Sequence, residues 1–153
     1  MRRKDKEITD FNVIESILKR NYICRIALSE DNIPYIIPMN YGYKNYTLVF
    51  HSAKEGKKID IIRNNPEACF EITENIKIIE SDEACSFGTR YRSVFGRGKM
   101  EIIDDESMKI EGLNVLMKQH SGKNNWAFSK QSLQNIVILK LDIDELSGKQ
   151  SGY

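Results

Sequence analysis

Apolar residues recur along this chain at two periods, and each change of period marks an element. Phe11, Ile14, Ile17 and Leu18 fall on one face of a helix that Asp10 is suited to cap. The spacing then shortens. Residues 22–29 read as a strand, Glu30-Asp31-Asn32 as a turn, and 33–43 as a second strand interrupted by Pro34 and Pro38. Proline donates nothing to a ladder, so Pro38 marks an edge, a bulge or the end of pairing. Lys44-Asn45 suggests a hairpin turn into a third strand over 46–52. Helical spacing returns over 57–64, with Ile59, Ile61 and Ile62 as the apolar residues, and Asn64-Asn65-Pro66 ends it.

The second half repeats the logic. Residues 68–73 read as a fourth strand, 76–87 as a fifth, bent around Ser81-Asp82, and 91–103 as a sixth. Gly96 and Gly98 inside that sixth strand predict a bulge or the close approach of another group. Asp104 or Asp105 caps a helix reaching His120, with Met108, Leu113, Leu116 and Met117 as its stripe. A polar stretch over 121–134 holds the only tryptophan, Trp126, which reads as a core residue, an interface anchor or a wall of a site. The last strand, 136–146, sends Val137, Leu139, Leu141 and Ile143 inward, and residues 147–153 read as a loose tail. Strands do not alternate regularly with helices, so a closed or split antiparallel barrel is expected in place of a doubly wound sheet.

With 153 residues the chain fits one domain, able to bury roughly 70% of its unfolded surface without staples. Its 23 basic and 22 acidic residues balance, so no broad field draws it to nucleic acid or an anionic membrane. Cys24, Cys69 and Cys85 are odd in number and far apart, which argues against a disulfide framework or a cysteine zinc site. His51 and His120 lack metal-ligand spacing. The charged first ten residues do not resemble a signal peptide and no apolar run suits a membrane span, so a cytoplasmic location is expected.

One stretch carries candidate chemistry. A strand leaves the sheet with His51 and Ser52, a loop containing Gly56 follows, and Lys57 and Lys58 open a helix. Helix N-termini present unpaired N–H groups and partial positive charge, which suits a phosphate and disfavours a lysine pair unless an anion is bound there. His51 is either a hydrogen-bonded strand-end residue or a proton donor, since imidazole titrates near about 6.5.

Four segments, MRRKDKEI (1–8), PYIIPMNYGY (34–43), FHSAKEGKKID (50–60) and YRSVFGRGK (91–99), together resemble the pyridoxamine 5′-phosphate oxidase-like split-barrel superfamily, and within it the nitroimidazole-resistance, nitroreductase-related branch. That resemblance implies a mainly β (α+β) fold: a six-stranded antiparallel split β-barrel of Greek-key type with two to three flanking helices. It implies a homodimer holding two FMN cofactors at its interface. Pro38, Met39 and Asn40 would line the flavin ring, and His51 and Ser52 would lie beside the ring and ribityl chain. Lys57 and Lys58 would bind the phosphate, and Arg92 and Ser93 would reach the cofactor region from the partner chain. The implied activity is an FMN-dependent oxidoreductase passing electrons from a nicotinamide or other donor to a small acceptor such as a nitroaromatic compound. The alternatives are a flavin-binding redox sensor or store, or a haem- or deazaflavin-binding relative. Nothing in the last residues matches the tryptophan and arginine pattern of the true pyridoxamine-phosphate oxidases.

Overall fold

The computed structural model describes residues 3–153. Met1 and Arg2 of the first resembling segment lie outside those residues. In chain order the elements are β1 (Glu7–Ile8), α1 (Phe11–Arg20), β2 (Ile23–Glu30), β3 (Ile33–Asn40), β4 (Gly42–Lys44), β5 (Thr47–Ala53), α2 (Lys57–Asn64), β6 (Glu67–Ile79), β7 (Gly88–Ile103), α3 (Glu106–Ser121), α4 (Lys130–Gln134) and β8 (Ile136–Ser151).

The strands form one antiparallel sheet in the order β3-β2-β6-β7-β8-β5-β4, with β1 added to β8. The two ends of that order, β3 and β4, are separated in sequence by Tyr41 alone. The sheet must therefore curl back on itself into a barrel, split where β3 faces β5 without a ladder between them. Strands β6, β7 and β8 follow one another and β5 returns beside β8, which is a Greek-key arrangement. Eight strands appear where six or seven were expected, because β1 and β4 are too short for a periodicity of their own.

Local chemistry accounts for most of the connections. Asp10 caps α1, accepting from Asn12 N at 2.9 Å, and Ile14, Ile17 and Leu18 are buried as the spacing predicted. Each fully buried aliphatic side chain contributes roughly 1.5–3 kcal/mol of transfer free energy. Asp31 and Asn32 both take positive φ, as do Asn45 and Tyr46, so each pair makes a two-residue hairpin. Tyr46, an awkward residue for that conformation, stacks on Phe11 at 5.0 Å. The interior holds Phe50, Phe70, Leu139, Leu141 and Tyr41, whose hydroxyl donates to the Leu18 carbonyl at 2.7 Å.

Three expectations need correction. The fourth and fifth strands are one strand, β6, which continues through an irregularity between Glu74 and Lys77 where Asn75 takes positive φ. The tail is not loose: β8 runs to Ser151, held by β7 on one side and by Glu7 and Ile8 of β1 on the other. Its polar composition hid strand pairing, which backbone groups alone supply. Of the stripe expected on α3, Leu116 is buried and Leu113 packs against Val49, Ile103 and Ile138, but Met108 is exposed and Lys109 and Gly112 complete the buried face. Lys109 is only 3% exposed because its ammonium bonds the Leu133 carbonyl at 2.9 Å and pairs with Asp104. The bulge expected from the strand glycines is present between Arg97 and Gly98, and a Cβ at Gly98 would overlap the Asp142 carbonyl. Among the described residues no helix is long and apolar enough to cross a membrane.

Candidate functional site

The opening between β3 and β5 gathers most of the residues singled out in the sequence. Strand β3 pairs with β2 without a break from Ile33 to Asn40, straight across both prolines. Pro38 therefore does not open this ladder. Tyr41 N donates to the Tyr22 carbonyl at 3.1 Å, so odd-numbered residues turn their amides toward β2. Pro34, Ile36, Pro38 and Asn40 turn theirs to the free edge, where a missing proline N–H costs nothing. The free edge thus offers the Ile36 and Asn40 amides and the carbonyls of Ile36, Pro38 and Asn40. Side chains alternate the other way: Pro38 and Asn40 are exposed, while Met39 packs against the barrel core. Met39 turns its backbone to Cys24 of β2 and its side chain to the core, so within one chain it presents neither to the free edge.

Strand β5 brings His51 to the outer face, and alternation buries Ser52 inside the barrel. Partial desolvation by the surrounding protein lowers the exposed His51 imidazole below its ordinary value, and the nearby charges of Lys58 and His120 lower it further. At neutral pH the ring is neutral.

After β5 the chain turns through Gly56, whose φ of 115° few other residues would accept, and enters α2 with no side-chain cap. Ile59 N donates to the Gly56 carbonyl at 2.8 Å, leaving the Lys57 and Lys58 amides free of partners among the described residues. The lysine side chains are equally unneutralised. Lys54, three residues earlier, pairs with Asp104 at 2.9 Å, whereas neither Lys57 nor Lys58 forms an ion pair among the described residues. Lys57 Nζ lies 5.1 Å from the centre of the Tyr35 ring, tying the start of α2 to β3. Burial lowers the Lys58 ammonium below the ordinary lysine value. Two cations, two free amides and a helix start form a site for an anion.

Two predicted residues stand apart. The ladder row Pro38–Arg25–Glu71–Phe95 crosses three strand spacings, about 14 Å, to reach β7. His51 pairs Ile138, which pairs Ile103, and Ser93 and Arg92 lie ten and eleven residues back along β7 from there, about 30 Å, so both are remote from His51 within one chain. Arg92 bonds Gln150 at 3.3 Å and covers the Tyr153 ring at 4.1 Å. Trp126 is 41% exposed, not a core residue, and its indole N–H donates to the Lys123 carbonyl at 3.2 Å.

His120 is the residue the sequence did not flag. It ends α3, its Nε2 lies 3.2 Å from the Tyr41 carbonyl, its ring sits 5.3 Å from Tyr22, and its charge is felt by His51. A histidine in the last turn of a helix is ordinary, so no local signal could have marked it.

The model of the pyridoxamine 5′-phosphate oxidase family matches residues 11–150. The chain belongs to that family. It is similar to a candidate 5-nitroimidazole antibiotic resistance protein from Bacteroides thetaiotaomicron, at 32% identity and a TM-score of 0.84 over 94% of this chain and 86% of that one. The FAD and haem binding protein of Mycobacterium smegmatis matches at 22% identity with a TM-score of 0.87, over 97% of this chain and 74% of that one. A flavocytochrome from Azotobacter vinelandii matches at 17% identity with a TM-score of 0.84, over all of this chain and 72% of that one. These two share the fold. No curated protein matches the chain. Family membership makes this barrel the expected architecture for the sequence, and β3, β5 and α2 are the elements that present its free polar groups.

Proposed function

We propose that this member of the family binds flavin mononucleotide in the opening between β3 and β5 and uses it to reduce a small acceptor of nitroaromatic type. The observation that carries the reading is the pair Lys57 and Lys58, neither neutralised by an acid, beside the free amides that open α2. A terminal phosphate satisfies both cations and both donors together. From there the free edge of β3 is within the span of a flavin, and its alternating amides and carbonyls suit the edge of the flavin's pyrimidine ring.

When bound, the flavin supplies the redox chemistry, taking up two electrons from a donor and passing them on. The protein supplies the remainder. Lys57 and Lys58 hold the phosphate. The Ile36 and Asn40 amides and the Pro38 carbonyl orient the ring. His51, neutral at physiological pH, offers one ring nitrogen as a hydrogen-bond donor and the other as an acceptor beside it.

Asn40, His51 and Lys57 are exposed in one chain, so a single protomer offers the ring one wall only. A homodimer supplies the second, with Arg92 and Ser93 reaching the cofactor of the other copy, which accounts for their distance from the site in their own chain.

The absorption spectrum of the purified protein and the mass of its released cofactor test the reading. A yellow flavin band, FMN by mass, bleaching with NADH or NADPH without air and recovering on addition of a nitroimidazole are expected. A haem spectrum, or FAD by mass, overturns the ligand. Bound FMN that neither nicotinamide bleaches makes the protein a flavin-binding module.

A further inference from the structure

Strand β3 stops pairing at Asn40, and a strand end frays unless something ties it. The tie is the next residue, Tyr41, which is held at three points. Its amide donates to the Tyr22 carbonyl at 3.1 Å, and its hydroxyl donates to the Leu18 carbonyl at 2.7 Å. Its own carbonyl lies 3.2 Å from His120 Nε2. A carbonyl only accepts, so Nε2 carries the ring proton and donates it. The first two bonds lead to the backbone just before β2 and to α1. The third leads to a side chain in the last turn of α3, 79 residues away in sequence.

That turn is itself fixed against the strand end. A Cβ at Gly42 would come within 2.7 Å of the Leu116 nitrogen, so α3 crosses β4 in close contact. Gln119 accepts from the Tyr43 amide at 2.6 Å and donates to the Leu18 carbonyl at 2.9 Å and to the Asn21 carbonyl. The His120 ring also sits against Tyr22, 5.3 Å between centres. Residues on both sides of Tyr41, and Tyr41 itself, are thus tied to the end of α3.

The consequence falls on Asn40. Its carbonyl shares a planar peptide unit with the Tyr41 amide, so a Tyr41 amide held on Tyr22 aims the Asn40 carbonyl at the opposite, free side. The His120 bond restrains the backbone of Tyr41 from its other end, where no ladder does so.

We propose that His120 is a positioning residue for the flavin ring, acting through the Tyr41 carbonyl to hold the Asn40 amide and carbonyl where the ring's pyrimidine edge meets them. The inference rests on the flavin reading of the preceding subsection and adds to it the residue that fixes the end of the β3 edge. It concerns the ring, whereas Lys57 and Lys58 concern the phosphate.

Titrations of FMN and of riboflavin, read by flavin fluorescence, test it with two variants that divide the imidazole between them. His120→Phe keeps a ring beside Tyr22 and lacks the donor. His120→Gln lacks the ring but carries an N–H donor at the same reach as Nε2. His120 is exposed, so neither change disturbs the core, and melting curves of the cofactor-free variants check this. Measurements near about pH 8 keep imidazole charge out of the comparison. His120→Phe is expected to weaken FMN and riboflavin by the same factor, about fivefold, the worth of one neutral hydrogen bond. His120→Gln is expected to return both to near the wild-type values. The two-electron potential of bound FMN is a second readout, which a loss of packing alone would not move. Donors aimed at the pyrimidine edge stabilise the negative charge that two electrons add there, so the potential falls in His120→Phe and recovers in His120→Gln. A wild type that binds neither flavin ends the flavin reading and this role with it. A wild type that binds both, with a His120→Phe variant that matches it, loses FMN alone or is not rescued by His120→Gln, leaves the flavin reading standing and overturns the role of His120.

Discussion

Replacing Lys58 with methionine probes the anion site most directly. The substitution keeps an unbranched apolar stem, one atom shorter, and removes the charge with its N–H donors. Lys58 is half-buried and has no acidic partner among the described residues, so the free protein already bears part of the cost of desolvating it. Two unit charges 4 Å apart attract by about 4 kcal/mol at the effective dielectric near a protein surface. A charge-assisted hydrogen bond contributes about 1.5–3 kcal/mol net of what water supplies. The smaller figure governs, because the phosphate must also leave water. Lys58→Met is therefore expected to weaken FMN by about 2 kcal/mol, or roughly thirtyfold. Lys57 is exposed, and its replacement weakens FMN by less. The assay is quenching of flavin fluorescence on titration, run in parallel with riboflavin, which lacks the phosphate. Riboflavin affinity should be unchanged by either substitution. The sign with pH follows from the same picture. Burial lowers the Lys58 ammonium, a bound phosphate favours the charged form, and FMN affinity therefore declines with rising pH before the ordinary lysine range is reached. If the double variant binds FMN as well as the wild type, or loses riboflavin in the same proportion, the phosphate is not held by this pair.

Two further outcomes can be measured without a cofactor. In NMR titrations His51 should protonate below the ordinary histidine value, and both Lys58→Met and His120→Gln should raise its midpoint by removing a like charge; a midpoint moved by neither would show that burial alone sets it. Glu74 sits under Arg20 and Asn21, and although burial pushes its carboxyl up, those hydrogen bonds outweigh it and hold it below the ordinary glutamate value. Glu74→Gln should cost about 1 kcal/mol at neutral pH once the exposure of Arg20 is discounted, a fall in Tm of about 2–4 °C. The stabilisation exists above the unfolded carboxyl value and disappears as pH falls through the lower folded one, so wild-type and variant melts should converge in acid; a gap of constant size would locate the effect in packing instead.

Much of this architecture was legible in the sequence because it rests on near neighbours. Helical spacing placed Ile14, Ile17 and Leu18 inside, Asp10 and Asp105 act as caps, and α2 runs from Lys57 to Asn64, where Pro66 required it to end. The anion site was visible for the same reason: Gly56, Lys57 and Lys58 are consecutive, and the misfit of cations at a helix start is a local property. What the sequence could not settle depends on which backbone edges meet. The polar tail reads as loose, yet β1 and β7 pair with it by groups that no side chain reveals. Pro38 marked an edge, a bulge or the end of pairing, and only the register showed which: β3 stays paired to β2 and is free on its other side. His120 entered the site because α3 folds back over β4 and β5, and Arg92 left it because it lies at the opposite end of β7 from the row that His51 joins. Hydrophobic period and capping act over a few residues and can be read in order; long-range pairing joins residues by their distance in space, which the order of the chain does not contain.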